Sequence, residues 1–315
     1  MEHAVIEQVE RLVQNIEQVV LGKHEVVKMC VAGLLARGHV LIEDVPGIGK
    51  TTIAQSLARS LDCTFHRIQF TSDMLPSDIL GVSVLDHKTN NFEFRPGPIF
   101  AHVVLADEVN RTPPKTQSAL LEAMSEDQVS VDGKTYPLPQ PFMVMATQNP
   151  IEYEGTYTLP ESQLDRFMLR VEVGYPPRED ELRIMRRRDS QKAITSLAPV
   201  LNADEVLALQ RRVGEVIVEE SVARYMLAIV AGTRHHPQVQ LGPSPRGAQS
   251  LLAACQAWVL IEGRDFVTPS DVKRMADPVL GHRILIKSRG MDLVAAAAER
   301  SRIVAEIVRG IEIPI

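Results

Sequence analysis

The stretch LIEDVPGIGKTT, Leu41 to Thr52, departs at one position from the phosphate-loop pattern G-x-x-x-x-G-K-[ST], because Asp44 stands where the first glycine belongs. A loop of this kind needs backbone N–H groups curled around an anion and a helix N-terminus pointing at it. Gly47 and Gly49 allow that close approach, Lys50 reaches the β- and γ-phosphates, and Thr51 offers a hydroxyl to Mg²⁺. A glycine at position 44 would ease the turn without touching phosphate, and Pro46 tightens the same turn in another way. Val45, Pro46, Gly47, Ile48, Gly49, Lys50, Thr51 and Thr52 are therefore the candidate set for binding the phosphates of a nucleotide. The alternative for the loop taken alone is an ordinary Gly-rich turn.

Around this loop, short apolar and β-branched runs alternate with helical patterns. HVLIED (39–44), HRIQFT (66–71), HVVLADE (102–108), FMVMATQN (142–149) and FMLRVEV (167–173) read as buried strands. Between the first two, Ile53, Leu57 and Leu61 share one helical face. The rhythm predicts an α/β fold: a five-stranded parallel sheet with helices on both sides. Ligands bind such sheets at the carboxyl ends of the strands, where the loop, Asp107, Glu108 and Asn149 all fall.

Two segments exceed simple crossovers. Residues 72–100 contain SVLDHKTNNFEF, two short strands around a Lys-Thr-Asn-Asn turn. Residues 128–138 read as a hairpin turning at Asp132-Gly133. Both are either plain surface excursions or projecting functional hairpins. After GYPPRED (174–180) the pattern is helical, with caps at Asn202, Ser244-Pro245 and Thr268-Pro269. The expected division is a core over residues 1–176 with two hairpin inserts and a smaller all-helical domain over 177–315.

The 315 residues suffice for two domains, and 45% hydrophobic with 23% charged residues is ordinary for a globular chain. No apolar run approaches the roughly 18 residues needed to cross a bilayer. The first twenty residues read as an amphipathic helix rather than a secretory signal. Cys30, Cys63 and Cys255 are scattered, without a CxxC pair, which fits reduced thiols and a cytoplasmic location. Residues 1–176 carry 14 Lys+Arg against 23 Asp+Glu, or −9; residues 177–315 carry 20 against 17, or +3. That asymmetry fits either solvated faces or one copy's basic half meeting another's acidic half. An acidic chain with few aromatic residues argues against general nucleic-acid binding.

Four further positions carry chemistry. VVLADE ends a buried strand in two carboxylates: Asp107 can hold Mg²⁺ through its water shell, and Glu108 can polarise an attacking water. Asn149, in TQNP, either orients that water and senses the γ-phosphate or serves turn chemistry. Arg166, in LPESQLDRF, is placed to reach a neighbour's phosphate rather than its own; the alternative is a local ion pair with Asp165 or Glu161. Arg246 opens a helix in GPSPRG, where the dipole disfavours a cation, hinting at an anionic partner. Folded down over the γ-phosphate, it would report ATP as a change in the angle between domains.

In this order the motifs resemble the AAA+ superfamily and, within it, the MoxR-type ATPases. The resemblance rests on GHVLIEDVPGIGKTT, VVLADEVNRTPPKTQSALLEAMSE, FMVMATQNPIEYEGTYTLPESQLDRF and GPSPRGAQSLLAACQAWVLIEGRDFVTPSDV, spanning residues 38 to about 273. Asp44 at the start of the loop is itself typical of MoxR-like sequences. The resemblance implies an AAA+ αβα core followed by a helical lid, with ATP and Mg²⁺ as cofactors. It implies that Glu108 is the catalytic base, Asn149 the first sensor, Arg166 a finger acting in trans and Arg246 the second sensor. It further implies homo-oligomeric rings, usually hexamers, acting as chaperone-like motors with a partner that carries a von Willebrand factor A domain. The client is unknown. Other functions consistent with the motifs are a magnesium-chelatase-like motor subunit, a DNA-associated motor and a nucleotide-gated scaffold. Against DNA, residues 72–100 hold only Lys88 and Arg95 as basic residues and 128–138 only Lys134. Against a scaffold, Glu108 and Arg166 are both present.

Overall fold

Val40–Glu43 forms β1, buried along its whole length, as a strand covered on both faces is. The computed structural model describes residues 3–45, 47–88, 90–149, 157–187, 190–287 and 293–314; Pro46 of the loop lies outside them. Helices α1 (His3–Glu17) and α2 (His24–Leu35) precede β1, and α3 (Lys50–Ser60) connects it to β2 (Phe65–Gln69). A short α4 (Pro76–Leu80) and a hairpin of β3 (Gly81–Asp86) and β4 (Asn91–Pro96) lead to β5 (Val103–Asp107). Next come α5 (Pro114–Glu126), a second hairpin of β6 (Gln128–Val131) and β7 (Lys134–Pro137), then β8 (Met143–Gln148), α6 (Glu161–Leu164) and β9 (Leu169–Val171).

Strands β2, β5, β8, β1 and β9 lie side by side in that order, and every neighbouring pair is parallel. The order brings β1 beside β8, with Glu43 opposite Gln148, and β2 beside β5, with Gln69 opposite Asp107. Alternate residues of each strand enter different cores. Val40, Ile42, Val103, Leu105, Met143 and Met145 pack into one apolar cluster with α1, α2 and α3; Leu41, Val104, Ala106, Val144 and Ala146 pack into the other with α5. Hence the three layers.

Both hairpins predicted from turn chemistry are present. Asp132 and Gly133 take φ of 52° and 75°, the paired positive values that a two-residue hairpin turn requires. The hairpins also touch: the rings of Phe94 on β4 and Tyr136 on β7 stack with centroids 4.0 Å apart.

The second half contains α7 (Arg178–Arg186), α8 (Ser190–Thr195), α9 (Ala203–Val213), α10 (Glu220–His235), α11 (Pro245–Ile261), α12 (Pro269–Leu280) and α13 (Leu293–Gly310). Among the described residues it also holds a small antiparallel pair of β10 (Val239–Leu241) and β11 (Leu285–Ile286) and an isolated bridge between Ile217 and Phe266. Asn202 starts α9 in a reciprocal capping box, Thr268 starts α12 with its N–H and hydroxyl both donating to Asp271, and Pro245 and Pro269 open α11 and α12. The apolar surfaces of α9 to α12 do not close a core of their own. Leu209, Ile229, Trp258 and Val272 belong to the same buried cluster as Leu12 of α1 and Val31 of α2, so the helical half grows out of one face of the core.

Candidate active site

Asp44 is pinned at both ends. Its carboxylate accepts from the backbone N–H of Val45 at 2.7 Å and of Gly174, beyond β9, at 2.6 Å, and its carbonyl accepts from Lys50 Nζ at 2.8 Å. The residue that breaks the motif thus fastens the start of the loop to the segment after the neighbouring strand, a contact no glycine can make. Gly47 and Gly49 have φ of +85° and +94°, and a Cβ on either would meet nothing within 4 Å. Glycine is favoured there by the positive φ, and the open space in front leaves room for an anion. Helix α3 begins at Lys50 with Gly49 as its N-cap and no capping side chain, so the N–H groups of its first turn face that space.

Beside the loop lies a cavity of about 370 Å³. Gly47, Ile48, Gly49, Thr52 and Ile53 form its floor, Val19, Val20 and Leu21 one wall, and Tyr175, Pro176 and Ile184 the other. Two cations tie the walls together. Lys23 Nζ donates to the carbonyls of Val173 (2.7 Å) and Tyr175 (2.6 Å), and Arg187 donates to those of Val19 (3.0 Å) and Gln18 (2.5 Å). Burial lowers the Lys23 pKa below its ordinary value, while the charge of Asp44 opposes the shift. The size and apolar lining suit a ring system attached to a phosphate chain. Sequence reasoning missed both walls, because neither the α1–α2 turn nor GYPP carries a binding motif.

At the carboxyl edge the carboxylates are held by a network that sequence reasoning also missed. Thr147 on β8, fully buried, donates to Asp107 Oδ1 at 2.6 Å and accepts from the Glu108 backbone N–H at 2.9 Å. Arg67 on β2 donates to Asp107 Oδ2 through Nη2 at 2.6 Å and Nε at 3.2 Å. Glu108 Oε2 accepts from Gln69 at 2.9 Å and pairs with Arg111 Nε at 3.0 Å. Glu108 sits at φ 59°, ψ 48°, a left-handed conformation costing a non-glycine residue on the order of 1–3 kcal/mol. The network around Thr147 holds it there. Asn149 is 7% exposed and follows β8 directly, next to β1 and its loop. Asp107 and Thr51 present oxygen donors only, the chemistry a hard cation selects. No group of three or more His, Cys, Asp or Glu fit for a metal exists among the described residues. Their donor chemistry suits Mg²⁺ completed by phosphate and water, with Asp107 engaged in this structure by Thr147 and Arg67.

The two remaining arginines lie elsewhere. In the parallel sheet, Val40 at the start of β1 is opposite Leu169 at the start of β9. Arg166 precedes Leu169 and so stands at the starting edge, while the phosphate loop follows Glu43 at the carboxyl edge. Its Nη1 donates to the Leu121 carbonyl and to Ser125 Oγ at the end of α5, both at 2.5 Å. The local pairing with Asp165 does not form, because Asp165 is engaged by Ser244 Oγ (2.9 Å) and Arg283 Nε (2.8 Å). The same contacts bear on where Arg246 stands. Ser244 fastens the first turn of α11 to Asp165 at the starting edge, and Arg246, two residues on, is exposed and does not line the cavity beside the loop.

A glycine-framed anion loop, a strand-end carboxylate pair and this strand order define a phosphate-loop ATPase of the AAA class. The model of the ATPase family associated with various cellular activities (AAA) matches residues 39–169, and that of the AAA lid domain matches residues 231–308. The chain is 48% identical to uncharacterized protein YeaC of Bacillus subtilis over 97% of this chain and 94% of that one. It is 40% identical to Chaperone MoxR1 of Mycobacterium tuberculosis, over 90% and 77% respectively. A crystal structure from Cytophaga hutchinsonii superposes with a TM-score of 0.90 at 37% identity, covering 99% of this chain and 96% of that one. The chain belongs to the MoxR family of AAA+ ATPases.

Proposed function

We propose that this ATPase completes its active site only between protomers of a ring, and that turnover drives chaperone-like remodelling or maturation of partner proteins. The observation that carries this reading is the separation of the two halves of the chemistry on opposite edges of one sheet. The loop and Glu108 occupy the carboxyl edge, and Arg166 and Arg246 the starting edge.

In the proposed mechanism, the N–H groups of residues 47–52 and Lys50 bind the phosphates, and Val45 sets the loop's approach. Thr51 and Asp107 are the residues that would hold Mg²⁺, which supplies charge neutralisation at the β- and γ-phosphates. Glu108 takes a proton from the attacking water as its oxygen bonds to the γ-phosphorus and the bond to ADP breaks. Gln69 and Arg111 hold Oε2, which orients the carboxylate. Asn149 orients the water without neutralising the base. Arg166 of the adjacent protomer, with Arg246 beside it, faces the charge developing on the transferred group.

We take residues 1–176 as the nucleotide-binding core and 177–315 as the lid. The stacked pair of hairpins is the output: Phe94 against Tyr136 makes the 72–100 and 128–138 inserts move as one. A hexameric ring, a partner with a von Willebrand factor A domain and a cytoplasmic site of action complete the reading. Among the described residues, no helix is long and apolar enough to cross a membrane. The relative named Chaperone MoxR1 supports a protein client. Glu108→Gln tests the reading: it should bind ATP, accumulate as a ring in sedimentation and turn over roughly 10²- to 10⁴-fold more slowly. A Glu108→Gln protein that stays monomeric when saturated with ATP contradicts it.

A further inference from the structure

Asp165 lies next to one of the two arginines at the starting edge, and Ser244 lies two residues before the other. Each oxygen of the Asp165 carboxylate is used by the helical half: Oδ1 accepts from Arg283 Nε at 2.8 Å and Oδ2 from Ser244 Oγ at 2.9 Å. Arg283 is 1% exposed at its side chain. Its remaining donors reach the backbone on both sides of Arg166, at the carbonyls of Asp165 (3.3 Å), Phe167 (2.6 Å) and Met168 (3.1 Å). They also reach the Val279 carbonyl on α12 and Ser250 Oγ on α11 at 3.3 Å. The first turn of α11 is seated directly on this guanidinium, since a Cβ at Gly247 would come within 3.2 Å of Arg283 Cδ and 2.9 Å of Pro243 Cβ. Burial brings the Arg283 pKa down to about 10, Asp165 opposes that shift, and the positive charge of Arg246 adds to it. Arg246 is therefore electrostatically close to the clasp while its own side chain remains exposed.

From this geometry we infer that Ser244 and Asp165, locked by Arg283, are positioning residues that hold Arg166 of the core and Arg246 of the lid in one fixed relation, so that both arrive together at a neighbouring protomer's phosphates. The inference rests on the reading that the site is shared between protomers, and it adds residues that touch no nucleotide. Two arginines on separate half-molecules would otherwise approach the same anion independently. A single carboxylate joining the segments that carry them, through Ser244 Oγ and Arg283 Nε, makes their spacing a property of the core–lid junction. A charge-assisted hydrogen bond between buried or half-buried groups is strong enough to set such a spacing, and mispositioning of charge in a transition-state site costs turnover rather than substrate binding.

The test uses the full chain. Ser244→Ala removes one hydroxyl at a half-buried cap and leaves the Asp165–Arg283 pair in place, whereas Asp165→Asn endangers folding by leaving Arg283 buried without its carboxylate. Ser244→Ala should bind a fluorescent ATP analogue as wild type does. It should keep the KM for ATP and lower kcat roughly tenfold, and Ser244→Thr, which retains the hydroxyl, should restore most of that loss. Mixed with excess Lys50→Ala, which supplies intact arginines but no working loop, Ser244→Ala protomers should regain turnover. Arg166→Ala mixed with Lys50→Ala runs in parallel. If Arg166→Ala is rescued but Ser244→Ala shows wild-type kcat, a raised KM or no rescue, the clasp inference is overturned while the shared site stands. If Arg166→Ala is not rescued, the shared-site reading itself fails, and the inference with it.

Discussion

The two edges of the central sheet are built in opposite ways. The carboxyl edge is built locally: a loop of nine residues, Asp44–Thr52, presents N–H groups, open space and one lysine, and its glycines are dictated by φ rather than by packing. The starting edge is built by side chains that come together across 79 and 118 residues of chain, Ser244 to Asp165 and Arg283 to Asp165. A backbone cradle works within one chain, because its donors follow from the fold of a single segment. A side-chain clasp sits where two halves of the molecule join, with its own charges paired and Arg246 exposed beside it. The difference argues for a site whose binding half and charge-stabilising half belong to different protomers.

The largest expected effect contrasts the two edges directly. Lys50→Ala should weaken nucleotide binding roughly a hundredfold or more, since a charged partner of the phosphates is lost, whereas Arg166→Ala should leave the affinity of isolated protomers unchanged. Titration with a fluorescent nucleotide at protein concentrations too low for assembly decides this. Equal losses would erase the distinction between the edges.

Within the carboxyl edge, Thr147→Val should cost about 1–3 kcal/mol of stability, because it strands one buried oxygen of Asp107 and the Glu108 N–H. It should also lower kcat by about tenfold as Glu108 leaves its left-handed conformation. Denaturant unfolding and steady-state turnover, measured on the same preparation, separate the two losses. An unaffected kcat would mean that Glu108 is held by Gln69 and Arg111 alone.

The smallest effect belongs to the lid. Burial raises the Asp271 pKa, but hydrogen bonds from Arg264 and Thr268 outweigh it and leave the pKa below the ordinary value. A depressed folded pKa stabilises the protein above the unfolded value, near about 4, and that contribution disappears as pH falls through the folded value. Asp271→Asn should therefore lower Tm at pH 7 and show a shallower loss of Tm on acidification than wild type. Parallel melting curves would place the acid sensitivity elsewhere.

The strands, the loop and both hairpins were legible because each is a contiguous pattern: five apolar runs, one glycine spacing, one Asp-Gly turn. Asp44 was legible as harmless, but not as useful, since its partner Gly174 lies 130 residues away. The walls of the cavity were illegible because Val19–Leu21 and Tyr175–Pro176 are ordinary apolar residues whose meaning comes from where α1 and β9 end. Thr147 and Arg67 were hidden by the same cause, as strand residues that read as part of a buried run. The surroundings of Arg246 were illegible because a helix start specifies its cap and its dipole but not the surface it docks on. That surface is chosen by Ser244 and Arg283 against Asp165. The pair β10–β11 is too short, at three and two residues, to carry a period.

The shared site is tested most directly by ATPase activity per protomer against protein concentration, for wild type and for Arg166→Ala mixed with Lys50→Ala. Specific activity that rises with concentration, together with partial recovery when the two impaired variants are combined, is the predicted result, because some interfaces then pair an intact loop with an intact arginine. Flat specific activity with no recovery would contradict it, making Arg166 a local anchor on α5 and the active site complete within one chain.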